Sequence, residues 1–252
     1  MIAKLISFLF IILLSTSSIQ ATSPQSDYEY QLTQYRKHNT EFKVLKEDNQ
    51  KNPTLDNQQK ALQAAKQTII SRDTTKIVYI EVILSSIRSQ NPTQGYILQT
   101  ESELISAQEF YKNQIILAKN IVNVEDLTKF TKEYLATQPP YQTEIIKSLA
   151  TNKLAILIRL QTDIKNAYDD LLPKISDKTL TPVSAGLDKI TQLADNINNK
   201  ILSSINIIKS SEVTTSSKSS FYSKQTENLS QIKTLQVELV NILVDLEKNY
   251  VN

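Results

Sequence analysis

The side chains able to do chemistry are few in this chain, and poorly grouped. There is one histidine, His38, and no cysteine. That removes disulfide staples, thiolate zinc sites and a cysteine nucleophile, and one imidazole does not supply the two Glu-x-x-His motifs of a di-iron bundle. His38 falls in a gap of an apolar row beside Glu41 and reads as a boundary residue. Glu101, Glu103 and Glu109 lie close in sequence, but their spacing is that of a solvated helix face, not of an acid–base pair. Tyr28, Tyr30 and Tyr35 have faces suited to stacking on a sugar, yet aromatics at helical spacing are first of all packing residues. The pair that stands out is Arg72-Asp73, the one adjacent couple of opposite charges inside the apolar series of a long helix. Such a pair is either an edge pair with its heads in water or a buried pin fixing the register of neighbouring helices. No partner for Arg72 is evident in the sequence, so the expectation is the edge pair. Arg72 and Asp73 are the candidate structural or binding residues. No catalytic, metal-binding or cofactor-binding residue is indicated, and no cofactor.

The element that carries this pair runs from Asn52 to Gln90. Leu55, Leu62, Ala65, Ile69, Ile77, Ile80, Leu84 and Ile87 recur at steps of three, four or their sums, the period of one helix face. Asn52 is placed to cap, Pro53 to open the first turn, and Asn91 before Pro92 to end the helix. At 1.5 Å per residue the element is about 55–60 Å long.

The rest of the chain repeats the idea. A first helix begins near Pro24, with Ser26-x-x-Glu29 as a capping box and Tyr28, Leu32, Tyr35, Phe42 and Leu45 as its stripe; Lys46–Asn52 is polar and predicts a turn. A third helix carries Ile97, Leu104, Tyr111 and Ala118 seven apart, with Glu101 and Gln108 on the adjacent row. Asn123 caps a short fourth helix with stripe Leu127, Phe130 and Tyr134, and Gln138-Pro139-Pro140 ends it. A fifth follows to Leu172, stopped by Pro173. The sixth, from Thr181-Pro182, and the last, through Phe221, Gln225, Leu229, Ile232, Leu235, Leu239, Ile242, Leu246 and Tyr250, carry seams of equal quality and are expected to pack on each other. Only two of 252 residues are glycine, against a usual share near 7%. This scarcity disfavours sheets and removes the glycine-rich phosphate loops and GxSxG elbows. The fold class is therefore all-α: an elongated antiparallel helical bundle, coiled-coil-like, of six to seven helices.

Residues 1–21 have the pattern of a secretory signal peptide, with Lys4, an apolar Leu5–Leu14 and Ala21 before the cut. The expected division is then a three-helix segment over 22–122 and a helical bundle segment over 123–252. A net charge of +2 gives no electrostatic footprint for nucleic acid, and no stretch beyond the signal is apolar enough for a stable span. The reading that follows is a non-enzymatic secreted or cell-envelope protein that binds or scaffolds a protein or envelope partner, with oligomerisation through the seams as one way to do so. Behind it stand a secreted membrane-active, pore-former-like protein and, with two carboxylates as its minimal requirement, a hydrolase.

Overall fold

The computed structural model describes residues 23–175, 181–213 and 216–251. Among them are seven helices and no strand: α1 (Pro24–Lys51), α2 (Leu55–Arg88), α3 (Gly95–Lys119), α4 (Val124–Thr137), α5 (Pro139–Ile175), α6 (Thr181–Ser210) and α7 (Lys218–Tyr250). The chain is all-α, as the periodicity and the scarcity of glycine predict. The signal-peptide pattern at 1–21 lies outside the described residues, as does most of the loop expected between the fifth and sixth helices. The chain divides into two compact units, residues 20–149 and residues 150–252.

In the first unit the helix boundaries shift from their predicted positions. The cap of α1 is Ser23, whose side chain accepts the Ser26 backbone N–H, with Pro24 in the first turn. The predicted box at Ser26 is thus one turn inside the helix. Polarity alone does not end α1. Lys46–Gln50 stays helical, and Lys51 closes an exposed pair with Glu47 at 2.6 Å. The connection to α2 is Asn52–Thr54, and Thr54, not Asn52, accepts the cap hydrogen bond from the Asn57 N–H. At the far end Asn91 takes φ +48°, the left-handed region that asparagine tolerates better than most residues, directly before Pro92.

α2 is the centre of this unit. Ile80, Leu84 and Ile87 are buried on it, and α3 offers Ile97, Leu104, Tyr111 and Ala118, all fully buried. These are the seven-spaced positions read from the sequence. Burying each large apolar side chain contributes about 1.5–3 kcal/mol. The polar half of α3's seam also binds α2: Gln108 donates to the Ile77 carbonyl and to Glu81, both at 3.2 Å, and Arg88 donates to Glu101 at 2.8 Å. α1 lies on the other flank of α2, where Ala61, Ala64, Ser71 and Thr75 are small and buried. Small residues let backbones approach, so Thr68 and Thr75 donate to the His38 and Gln31 carbonyls of α1, each at 3.0 Å. No residue of α1 itself is buried. It is an edge helix, held along one side.

In the second unit α6 and α7 pack on each other, as expected from their seams. The antiparallel register is fixed by Lys189 with Glu238 at 2.7 Å and Lys200 with Gln231 at 2.8 Å. Gly186 sits so close to Leu246 that an added Cβ would meet its side chain at 3.1 Å. On α7 the predicted Phe221, Gln225, Leu229, Ile232, Leu239 and Leu246 are buried, and Leu235 and Ile242 are half-buried. Gln236 and Leu243 are buried beside that row because α7 also meets α5, where Gln236 donates to the Leu157 carbonyl at 2.8 Å. Pro173 does not stop α5, which continues to a fully buried Ile175. Among the described residues no helix is long and apolar enough to cross a membrane.

Candidate binding groove

Two features occupy opposite faces of α2. The first is the charged cluster around the predicted pair. Arg72 makes a two-pronged contact with its neighbour, Nε to Asp73 Oδ1 at 2.8 Å and Nη2 to Oδ2 at 3.1 Å. Tyr134 of α4 donates its hydroxyl to Asp73 Oδ1 at 3.1 Å, and Lys76 donates to that hydroxyl oxygen at 2.8 Å. The Arg72 guanidinium lies 4.0 Å from the Tyr134 ring centroid, and the Lys76 ammonium 4.6 Å from that of Tyr111. Gln138 donates to the Tyr111 hydroxyl at 3.3 Å, and Phe110 stacks on Tyr141 at 4.2 Å.

The Asp73 side chain is 0% exposed and that of Arg72 27%. The edge-pair expectation therefore fails at the carboxylate: Asp73 is buried, with the half-buried Arg72 closing over it. What the sequence lacked was the partner, an aromatic roof supplied by α3 and α4. Burial lowers the Lys76 ammonium to about 8, with Arg72 adding repulsion. Burial also works against the Arg72 charge, but the Asp73 hydrogen bond and charge more than offset it and leave the guanidinium above its ordinary value. The Tyr111 hydroxyl is pushed up to about 12 by burial, and Tyr134 higher for the same reason, reinforced by Asp73. With Arg72 and Asp73 paired, Lys76 held on the Tyr134 hydroxyl and the phenols neutral, the cluster ties α2 to α4.

The second feature is open. Around α2, at 3.6 residues per turn, Thr68 and Thr75 face α1, Lys66, Ile77 and Arg88 face α3 and the turn after it, and Asp73 and Lys76 face α4. A fourth row, Asp56, Lys60, Gln63, Gln67, Ile70, Thr74 and Val78, floors a groove walled by α1 on one side and, on the other, by α3 toward Val78 and by the α3–α4 connection toward Asp56. The groove widens near each end. One widening, about 640 Å³, is lined by His38, Glu41 and Leu45 of α1, Asp56–Ala64 positions of α2, and Val122. The other, about 350 Å³, is lined by Pro24 and Asp27, Ile77, Val78 and Glu81, and Gln108 and Lys112 of α3. His38 Nδ1 is buried there with no hydrogen-bond partner among the described residues.

Both rims carry exposed apolar side chains. On α1 these are Tyr30 and Val44, each three residues outward from a groove-lining acid, Asp27 or Glu41. On α3 they are Ile105 and Ile116, which lie outward of Gln108 and Lys112 by the same three-or-four step; Leu98 is on the same side of α3 but at the level of Arg88, past the start of α1. Apart from Tyr30, the sequence does not single out these residues. Leu98 and Ile105 each directly follow a member of the buried row, Ile97 and Leu104, and blend into it until the helix rotation is known.

A third polar contact joins α3 to α5. Burial raises the Glu144 carboxyl to about 7, and its hydrogen bond with Glu103 and the Glu103 charge add to the rise, opposed by Lys147. Glu103 is not simply part of a solvated face. Among the described residues no group of three or more His, Cys, Asp or Glu is arranged to hold a metal ion. No protein-family model, curated protein or solved structure matches this chain.

Proposed function

We propose that this chain is a non-enzymatic, exported helical module that binds a partner along the groove between α1 and α3, in the cell envelope or outside the cell. The observation that carries the reading is the alignment of exposed apolar surface along one groove. Tyr30, Val44, Ile105 and Ile116 are 43–61% exposed, and helical spacing puts each within one turn of a groove-lining residue. Single exposed apolar residues need no explanation, whereas several along one polar-lined groove point to an interaction site. The signal-peptide pattern at 1–21 supports export.

Site-specific photo-crosslinking tests this. A benzophenone side chain at Gln67, in the groove floor, should give a discrete adduct in the cells that make the protein. The same group at Leu135 of α4, 66% exposed and off the groove, should give none. Equal labelling from both positions, or none from Gln67, would remove the groove from the reading.

A further inference from the structure

We infer that the hairpin of α6 and α7 is built to open at its loop end while the rest of its seam stays closed, and that it parts at the layer formed by Ser204 and Gln225. The register is set by Lys189 with Glu238, Lys200 with Gln231 and Gly186 against Leu246. Stepping by heptads from these contacts puts Val183 level with Leu246, Ile190 with Leu239, Ile197 with Ile232, and Ser204 with Gln225. All of these side chains are buried. The first three layers are apolar on both helices, and the last is polar on both. Beyond it, toward the loop, Ile208, Val213 and Phe221 are buried again. A polar layer thus separates a short apolar end from a long apolar seam.

That layer is missing its hydrogen bonds. Ser204 Oγ, Gln225 Oε1 and Gln225 Nε2 are buried without a partner among the described residues, and the two residues are only 1% and 2% exposed. A buried hydroxyl or amide left unpaired loses its hydration with no bond in its place, and native interiors keep few such groups. Gln236, about three turns later on α7, shows the contrast. It is buried too, but its Nε2 donates to the Leu157 carbonyl at 2.8 Å and to Gln161 Oε1 at 3.3 Å. Those bonds tie the middle of α7 to α5, and Gln225 makes none like them. Parting the helices as far as Gln225 returns its orphaned atoms and the Ser204 hydroxyl to water, and breaks only the contacts of the short apolar end. Parting them further also exposes Ile201, Leu229, Ile197 and Ile232, which are buried in the long seam. The free energy of opening therefore rises in a step just past the polar layer, the pattern of a segment that opens locally while its neighbours stay folded.

Thiol labelling tests the inference, because the chain has no cysteine of its own. Ile208→Cys and Ile197→Cys each place one thiol, on opposite sides of the layer, at positions that are 0% exposed. Alkylation by iodoacetamide under native conditions then measures opening. The thiol at position 208 should react about tenfold faster than the one at 197. Ser204→Ala with Gln225→Met keeps the bulk of the layer and removes its orphaned atoms. In that background the reaction at 208 should slow by about tenfold, the scale of one unpaired buried polar group, and circular dichroism should show the same helix content with a higher melting temperature. Equal rates at 208 and 197 would mean that the hairpin opens only as a whole. A rate at 208 that the layer substitutions leave unchanged would assign it to ordinary fraying of the end of α6. A rate that they raise would mean that a bound water satisfies the layer and helps to hold the hairpin shut. Each of these three results overturns the inference. If Ile208→Cys does not fold, Val213→Cys, a smaller change at the same end, makes the same comparison.

Discussion

Arg72 and Asp73 are neighbours in sequence and far apart in exposure, 27% against 0% for their side chains. The carboxylate is the buried member, and the guanidinium reaches over Tyr134 to hold it. Removing the guanidinium leaves a buried charge with the Tyr134 hydroxyl and the nearby Lys76 as its only help. Arg72→Ala should therefore cost about 3–5 kcal/mol in a denaturant melt, and Arg72→Leu with Asp73→Leu should recover most of it, because replacing both members removes the uncompensated charge. A loss below about 1 kcal/mol for Arg72→Ala is what an exposed pair gives and would contradict the burial. The sequence displays the pair but not its surroundings. Tyr134 is 61 positions away, and in its own helix it looks like one more stripe residue beside Phe130. His38 is similarly legible only as a boundary residue, since its place in the groove depends on where the α3–α4 connection brings Val122.

At the scale of helices, composition and period locate every element, and the differences between expectation and structure are differences of ends and of the width of one buried face. Caps shift by a turn or less because several polar residues near each start can accept the same N–H. The buried face of α7 is wider than the predicted row because Gln236, which the apolar spacing passes over, bonds the α5 backbone. The carboxyl pair between α3 and α5 is invisible in the sequence because nothing in either helix alone brings Glu103 to Glu144. That pair gives the first turns of α5 a pH-dependent hold. The Glu144 carboxyl is raised in the folded chain by burial and by its hydrogen bond with Glu103, so the stability held by the neutral form is at full strength below the ordinary value of 4.5 and is lost as pH rises to about 7. Glu144→Gln keeps a neutral donor at the site. Its melting temperature should fall less than that of the parent protein between those two pH values, as followed by circular dichroism. Parallel curves for parent and variant would mean that the two carboxyls do not share a proton.

For the molecule as a whole, an apolar row left in water has the most to say about use. The scarcity of glycine, the absence of cysteine and the helical period are enough to fix the class of fold. They do not separate Ile97 from Leu98, or Leu104 from Ile105, since each pair is adjacent and only the rotation of α3 against α2 sends one inward and the other into water. The groove is a property of three helices together. Its exposed rim residues add little to the fold, because surface substitutions away from special features change stability by at most about 0.5 kcal/mol. Their role lies in the complex. The most direct test is the yield of the Gln67 crosslink in a chain also carrying Ile105→Gln and Ile116→Gln. The rim variant should melt as the parent does and lose the adduct. An adduct that persists at full yield in a folded variant would contradict the groove as the binding surface of this protein.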